Sequence, residues 1–190
     1  SLKAAMTLYG GFAGTETSRD QRDWKANPTV IDGEGTRRCV TAVGSCTVDG
    51  FTLGNGRVLY AGGGMYLGTA VNCAFTGNET TLEGGQGGGL YSGSAVNCVF
   101  TGNTCLGRYG TGGALHDGTA VNCTFTENRA DSAGGAMELG AATDCVFTGN
   151  SLTGLSGDGA GMCMGTATNC IFIGNVVAEN NGGCGGGLYN

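Results

Sequence analysis

The chain repeats itself, and the repeat is too short and too rich in glycine to be helical. The unit GGGMYLGTAVNCAFTGN opens at Gly62 and returns at Gly87 as GGGLYSGSAVNCVFTGN, then at Gly112 as GGALHDGTAVNCTFTEN. Two further copies open at Gly134 and Gly159, and a half copy, GGGLYN, begins at Gly185. The central cysteines, Cys73, Cys98, Cys123, Cys145 and Cys170, give successive spacings of 25, 25, 22 and 25 residues. Helical repeats run to roughly 33 residues or more, and glycine inside a helix costs about 1 kcal/mol per residue. A leucine-rich repeat has a suitable length, but its leucine and asparagine frame is absent.

The motif V-N-C-x-F-T-x-N alternates with a period of two, which is the period of a strand. Strict alternation puts Val71, Cys73 and Phe75 on the inner face, with Val96, Cys98 and Phe100 in the next unit and Val121, Cys123 and Phe125 in the third. In the last two full units Cys145 with Phe147 and Cys170 with Phe172 persist. Asn72, Asn97, Asn122, Asp144 and Asn169 are then expected on outward strand positions. A second short strand is predicted at Met65, Leu90, Leu115, Met137, Met162 and Leu188.

One such coil cannot bury its own apolar strip. Stacking coils at the parallel-strand spacing of about 4.8 Å buries the strip and pairs the backbone groups between neighbours. The predicted fold is therefore all-β: a right-handed parallel β-helix, a single-stranded solenoid with coils of about 22–25 residues. Like residues stack on like, and burying each phenylalanine contributes roughly 1.5–3 kcal/mol. Asn78, Asn103, Asn128, Asn150 and Asn175 close each motif. Their amides both donate and accept, which suits a stacked ladder at a turn. The segments between units, 79–86, 104–111, 129–133, 151–158 and 176–184, vary in sequence and length and are the insert positions of the solenoid.

The first third is less regular. Residues 1–38 are expected to hold irregular strands, Thr7–Tyr9 and Thr29–Ile31, joined by a long excursion that caps the column or covers one side. Residues 39–190 are expected to form the coils. Trp24, the sole tryptophan, and Pro28, the sole proline, both lie in the excursion.

Composition limits the function. With 9 lysines and arginines against 15 aspartates and glutamates, the net charge is -6, and the basic residues are scattered, which argues against a nucleic-acid partner. No stretch approaches 18 continuous apolar residues, so no membrane insertion by this segment is expected. No CxxC pair and no histidine near one is present, so neither a metal nor any other cofactor is expected. Cys39, Cys105, Cys163 and Cys184 fall outside the inward motif and would pair only if their coils met.

One motif position holds Tyr66, Tyr91, His116, Glu138, Cys163 and Tyr189 in successive units. Tyr66, Tyr91, His116, Glu138 and Tyr189 are the candidate ligand contacts, because an exposed tyrosine stripe offers flat amphipathic faces to sugar rings. Paired carboxylates of the kind glycoside hydrolysis needs do not stand out, since four of the five predicted outward positions of the V-N-C strand are amides. No catalytic residue is assigned.

The motifs TVDGFTLGNG, GGGMYLGTAVNCAFTGN and YGGFAGTETSRDQRDWKANPTVIDG resemble those of bacterial right-handed parallel β-helix proteins. These are large secreted or cell-surface proteins grouped with pectate-lyase-like and polymorphic-outer-membrane-protein-like repeats. The resemblance covers residues 8–190. It implies an extracellular location and a non-catalytic structural or adhesive module, with a carbohydrate-active lyase or hydrolase, or a glycan-binding module, as the alternative. Because the columns of Phe172 and Leu188 have no successor after Asn190, an end of the stack is expected to meet a further coil of a parent chain or another copy, as in a filament. Surface glycans are the other expected partner.

Overall fold

The computed structural model describes residues 1–154, 157–177 and 183–190. They form a right-handed parallel β-solenoid of about six turns with three sheets running its length. In one coil, Met65–Tyr66 and Thr69–Val71 lie on the first face, Ala74–Thr76 on the second and Glu79–Thr80 on the third. Every strand pairs in parallel with its equivalents in the neighbouring coils, so Phe100 aligns with Phe75 on one side and Phe125 on the other.

This register stacks the phenylalanine rings face to face. Phe75, Phe100, Phe125, Phe147 and Phe172 have successive centroid separations of 4.5–4.8 Å and interplanar angles of 4–8°. The first four are fully buried, and Phe172 is partly buried. Leu53 continues the column into the coil before Phe75. On the first face Met65, Leu90, Leu115, Met137 and Met162 form a second buried column, and Leu188 extends it in register but is exposed.

Strict alternation fails first at the corner before each column cysteine, and the valines change sides there. Val71, Val96 and Val121 do align in a ladder, but they face outward: Val121 is 40% exposed, whereas Ala70, Ala95 and Ala120 just before them are fully buried. The cause is the following residue. Asn72, Asn97, Asn122, Asp144 and Asn169 have φ between 51° and 54°, so they are left-handed corners between two faces and not strand positions. One left-handed residue turns the chain and shifts the alternation by one, so Cys73 points inward although Val71 does not. Asparagine and aspartate tolerate this conformation better than other side-chain-bearing residues. In the first full coil Gly50 occupies the corner, with φ of 80°.

The asparagine column at Asn78 is buried, not a surface turn. Asn78, Asn103, Asn128 and Asn150 are fully enclosed, and Asn175 is partly so. The amide of Asn128 donates to the Phe100 carbonyl at 3.0 Å and to Asn150 Oδ1 at 3.0 Å. Its Oδ1 accepts from the backbone N–H and the amide of Asn103. The left-handed residue at this second corner is the one before the asparagine: Gly77, Gly102 and Gly149, with Glu127 in the third unit. Glycine is required elsewhere by close approach. A Cβ at Gly88 would stand 2.4 Å from the Gly113 carbonyl oxygen and 2.5 Å from that of Thr104.

Two strands of the first 38 residues are rungs of the same solenoid, and a long excursion joins them. Thr7–Tyr9 pairs with Thr47–Asp49 in the first sheet, and Thr29–Asp32 pairs with Phe51–Gly54 in the second. The register also removes Cys46 from the cysteine column, because Thr47 aligns with Thr69 and Leu53 with Phe75. Phe51 falls at the level of Cys73 instead. Cys39, Cys105 and Cys163, which also fall outside the column, are not joined to one another by disulfides.

Truncating a buried ladder amide leaves several buried groups without partners, each worth about 1–3 kcal/mol. Asn128→Ala should therefore destabilise the protein by at least about 3 kcal/mol. Asn97→Ala, at the exposed corner, should stay within about 1 kcal/mol. Denaturant midpoints at constant slope decide between them.

Candidate functional site

The column of candidate ligand contacts comes together, but its rings face one another. Tyr66 stacks on Tyr91 with centroids 5.2 Å apart, and Tyr91 stacks on His116 at 5.5 Å and 6°. The Arg38 guanidinium lies 5.0 Å from the Tyr66 ring centroid. That arginine is itself held by the carbonyls of Gly62 and Ala61. The faces that would carry a sugar are thus taken by neighbouring coils, which removes this column as a stacking platform. Tyr189 aligns with Cys163 and is separated from the ring stack by Cys163 and Glu138.

Beyond His116 the column turns polar. Glu138 Oε2 lies 2.7 Å from His116 Nδ1, with the two side chains 12% and 7% exposed. The approach is close but not aligned as a hydrogen bond, since Oε2 is buried without one and Nδ1 also meets Thr111 Oγ1 at 3.2 Å. Cys163 follows Glu138 in register and is 1% exposed. Burial first, then the charges of Glu138 and Asp158, push its thiol up to about 11. An activated cysteine needs a neighbouring cation or a base on the sulfur, and here a carboxylate stands between thiol and imidazole. The arrangement suppresses nucleophilic chemistry. Cys105 is a second inert thiol: burial pushes it up to about 12, and it accepts a hydrogen bond from Thr80 Oγ1 at 3.0 Å. No group of three metal-ligating side chains occurs among the described residues.

A different polar feature lies on the outside, at the left-handed corners. Asn72 donates to Asp49 Oδ1 at 2.9 Å, Asn97 to Asn72 Oδ1 at 3.3 Å and Asn122 to Asn97 Oδ1 at 2.8 Å. Asn169 donates to Asp144 Oδ1. The Asp49 carboxylate has no N–H, so it forces the Asn72 side chain to donate and thereby orients the run above it.

The N-terminal excursion is anchored at the foot of this ladder. Arg22 Nη2 pairs with Asp49 Oδ2 at 2.6 Å, with side chains 9% and 13% exposed. Its Nη1 donates to the carbonyls of Gly10 and Asp49, and its guanidinium lies 5.1 Å from the ring centroids of both Tyr9 and Trp24. Asp23 accepts from the backbone N–H groups of Ala26 and Lys25, which hold its carboxyl below the usual range. Two glycines let the excursion lie flat: a Cβ at Gly11 would meet the Trp24 backbone at 2.6 Å, and one at Gly50 would meet Arg22 at 2.7 Å. Trp24 and Lys25 thereby form one wall of a cleft whose floor includes Asn72, Asn97 and Asn122.

Sequence reasoning placed these asparagines outward but on a strand, and it left Trp24 without a role. The usable signals were the single tryptophan and the corner asparagine one residue before each column cysteine.

Comparison with family models, with curated proteins and with solved structures gives no match. What the chain shares with known proteins is the right-handed parallel β-solenoid fold, without assignment to a particular family.

Two outcomes follow from this geometry. At pH 8 the Cys163 thiolate fraction should be roughly 100-fold below that of an ordinary thiol and rise about tenfold per pH unit until the pKa near 11. Iodoacetamide labelling read by mass spectrometry should therefore modify Cys163 at least 100-fold more slowly in the native protein than in guanidinium. Separately, Arg22→Met leaves the Asp49 carboxylate without its cation in a mostly enclosed site, where breaking such a pair costs about 3–5 kcal/mol. The expected readout is a red shift of Trp24 emission at denaturant concentrations too low to melt the coils.

Proposed function

We propose that this chain is a non-catalytic structural or adhesive module of an exported, cell-surface bacterial protein. The carrying observation is the regularity of its outer surface. Its outward ladders hold mostly uncharged side chains with separated carboxylates, Glu79 beside Arg57 on the third face and Asp144 among corner amides, and the acid–base pair of His116 with Glu138 is enclosed between stacked coils. Glycoside cleavage needs two carboxyl groups roughly 5–9.5 Å apart on either side of a bound sugar. Asp144 stands instead among amides in the exposed corner ladder.

The buried cysteines fit an oxidising exterior in an unusual way. They contribute as small apolar groups in the core, with Cys73, Cys98, Cys123 and Cys145 at most 2% exposed, so the fold does not require bridges. The bacterial surface assignment draws its support from the motif resemblance. The constant register supports end-to-end continuation, because one more coil, from a parent chain or another copy, extends every ladder at once.

Incubation with soluble plant and bacterial polysaccharides, neutral and acidic, should release neither reducing nor unsaturated ends over a day. Reproducible release that disappears in Asp144→Asn or Glu138→Gln would overturn the non-catalytic reading.

A further inference from the structure

We propose that the cleft between Trp24 and the exposed asparagine ladder is a binding site for a neutral glycan chain lying along the solenoid axis. The proposal deepens the adhesive reading and rests on it, by giving the module a ligand class and a place to hold it.

The floor of the cleft is a polar rail of fixed direction. Within the run from Asp49 to Asn122 each amide spends one N–H on the coil before it and, up to Asn97, accepts one bond from the coil after it. An asparagine amide has two N–H groups and two carbonyl lone pairs, so Asn72 and Asn97 each retain one donor and one acceptor for the outside, and Asn122 one donor and both acceptor sites. These spare groups recur at the coil spacing of about 4.8 Å, close to the length of one pyranose in an extended chain. Hydroxyl groups, which both donate and accept, match such a rail, whereas a purely anionic or purely cationic ligand meets only half of it.

The rail has one break, and the break selects for a donor. Asn122 already gives its N–H to Asn97, so its carbonyl oxygen is left toward Asp144, the next corner in register. The Asp144 carboxylate in turn accepts from Asn169 and has no donor of its own. Among the described residues the ladder bond is thus missing between these two adjacent corners, each of which carries acceptors. A sugar hydroxyl can supply the missing donor. Asp49 is already neutralised by Arg22, but the Asp144 carboxylate beside the rail and the net charge of -6 disfavour a polyanion, with Lys25 as the cationic residue lining the cleft.

The wall supplies the apolar half. A pyranose ring presents C–H groups on its faces, and tryptophan is the side chain best suited to cover them while keeping its edge wet. Trp24 is half-buried, with Arg22 against its ring, and the rest of the ring lines the cleft together with Val99. The anchoring by Arg22, Asp49 and Gly50 sets this wall before any ligand arrives, so little ordering remains to oppose binding.

Because Trp24 is the only tryptophan, its emission reports on this cleft alone. The test titrates the full chain with cellohexaose, mannohexaose and N-acetylglucosamine hexamer, and with hexagalacturonic acid as the anionic probe. Emission and calorimetry are recorded, and reducing ends are measured in the same mixtures. We expect at least one neutral hexasaccharide to bind saturably with a change in Trp24 emission, and to bind at least tenfold more tightly than hexagalacturonic acid. By calorimetry, Trp24→Ala should lower that affinity at least tenfold. Asn97→Ala and Asp144→Asn should each lower it several-fold, with melting lowered by no more than about 4 °C, and these two decide the matter if Trp24→Ala does not fold. The proposal is overturned if none of the three neutral chains alters emission or heat, if the anionic probe binds best, or if the variants bind like the wild type. Cleavage of a bound chain would sink the non-catalytic reading and leave the cleft standing. Absence of binding without cleavage would do the reverse.

Discussion

The structure depends on parallel pairing in register, which sets every residue directly above its equivalent one coil away. That constraint is favourable for apolar side chains, since identical rings and aliphatic groups stack without gaps. It is demanding for polar ones, because an interior polar group must be satisfied by a copy of itself. Asparagine meets the demand: its amide donates upward and to a backbone carbonyl, while its oxygen accepts from below. Serine or aspartate could not reproduce this set, as the first has one O–H donor and the second has none when ionised. The buried asparagine column therefore holds the second and third faces together, and the phenylalanine column fills the space beside it.

The same constraint shapes the outside. An exposed ladder inherits the period of the core, so the corner amides from Asn72 to Asn122 form a rail whose rungs are as regular as the strands behind them. The direction of the rail is set by a single carboxylate, Asp49, which also receives Arg22 and so ties the N-terminal excursion to the foot of the ladder. Scaffold and candidate binding surface share one residue. Disturbing the Arg22–Asp49 pair would loosen both the wall carrying Trp24 and the start of the rail.

Much of this was legible in the residues. The 22–25-residue period, the glycine-rich bends and the recurring C-x-F-T-x-N segment are sufficient to specify stacked parallel coils and the identity of the cysteine, phenylalanine and asparagine columns. They suffice because a solenoid needs only nearest-neighbour contacts, and each contact is between residues one repeat apart.

Three things were left to the tertiary structure. Val71, Val96 and Val121 face outward while the adjacent alanines face the core, because the left-handed corner that follows shifts the alternation, and the sign of φ at an asparagine is not written in its identity. The tyrosines look like a platform in sequence, yet stacking places each ring over the next and uses up the faces. Trp24 has no periodic partner at all, so its position over the amide rail comes from one ion pair and two glycines that have no counterpart in the repeat. Sequence alone determined what recurs, since recurrence is what stacking reads; the tertiary structure decided what does not recur, since those contacts depend on where the finished solenoid leaves room.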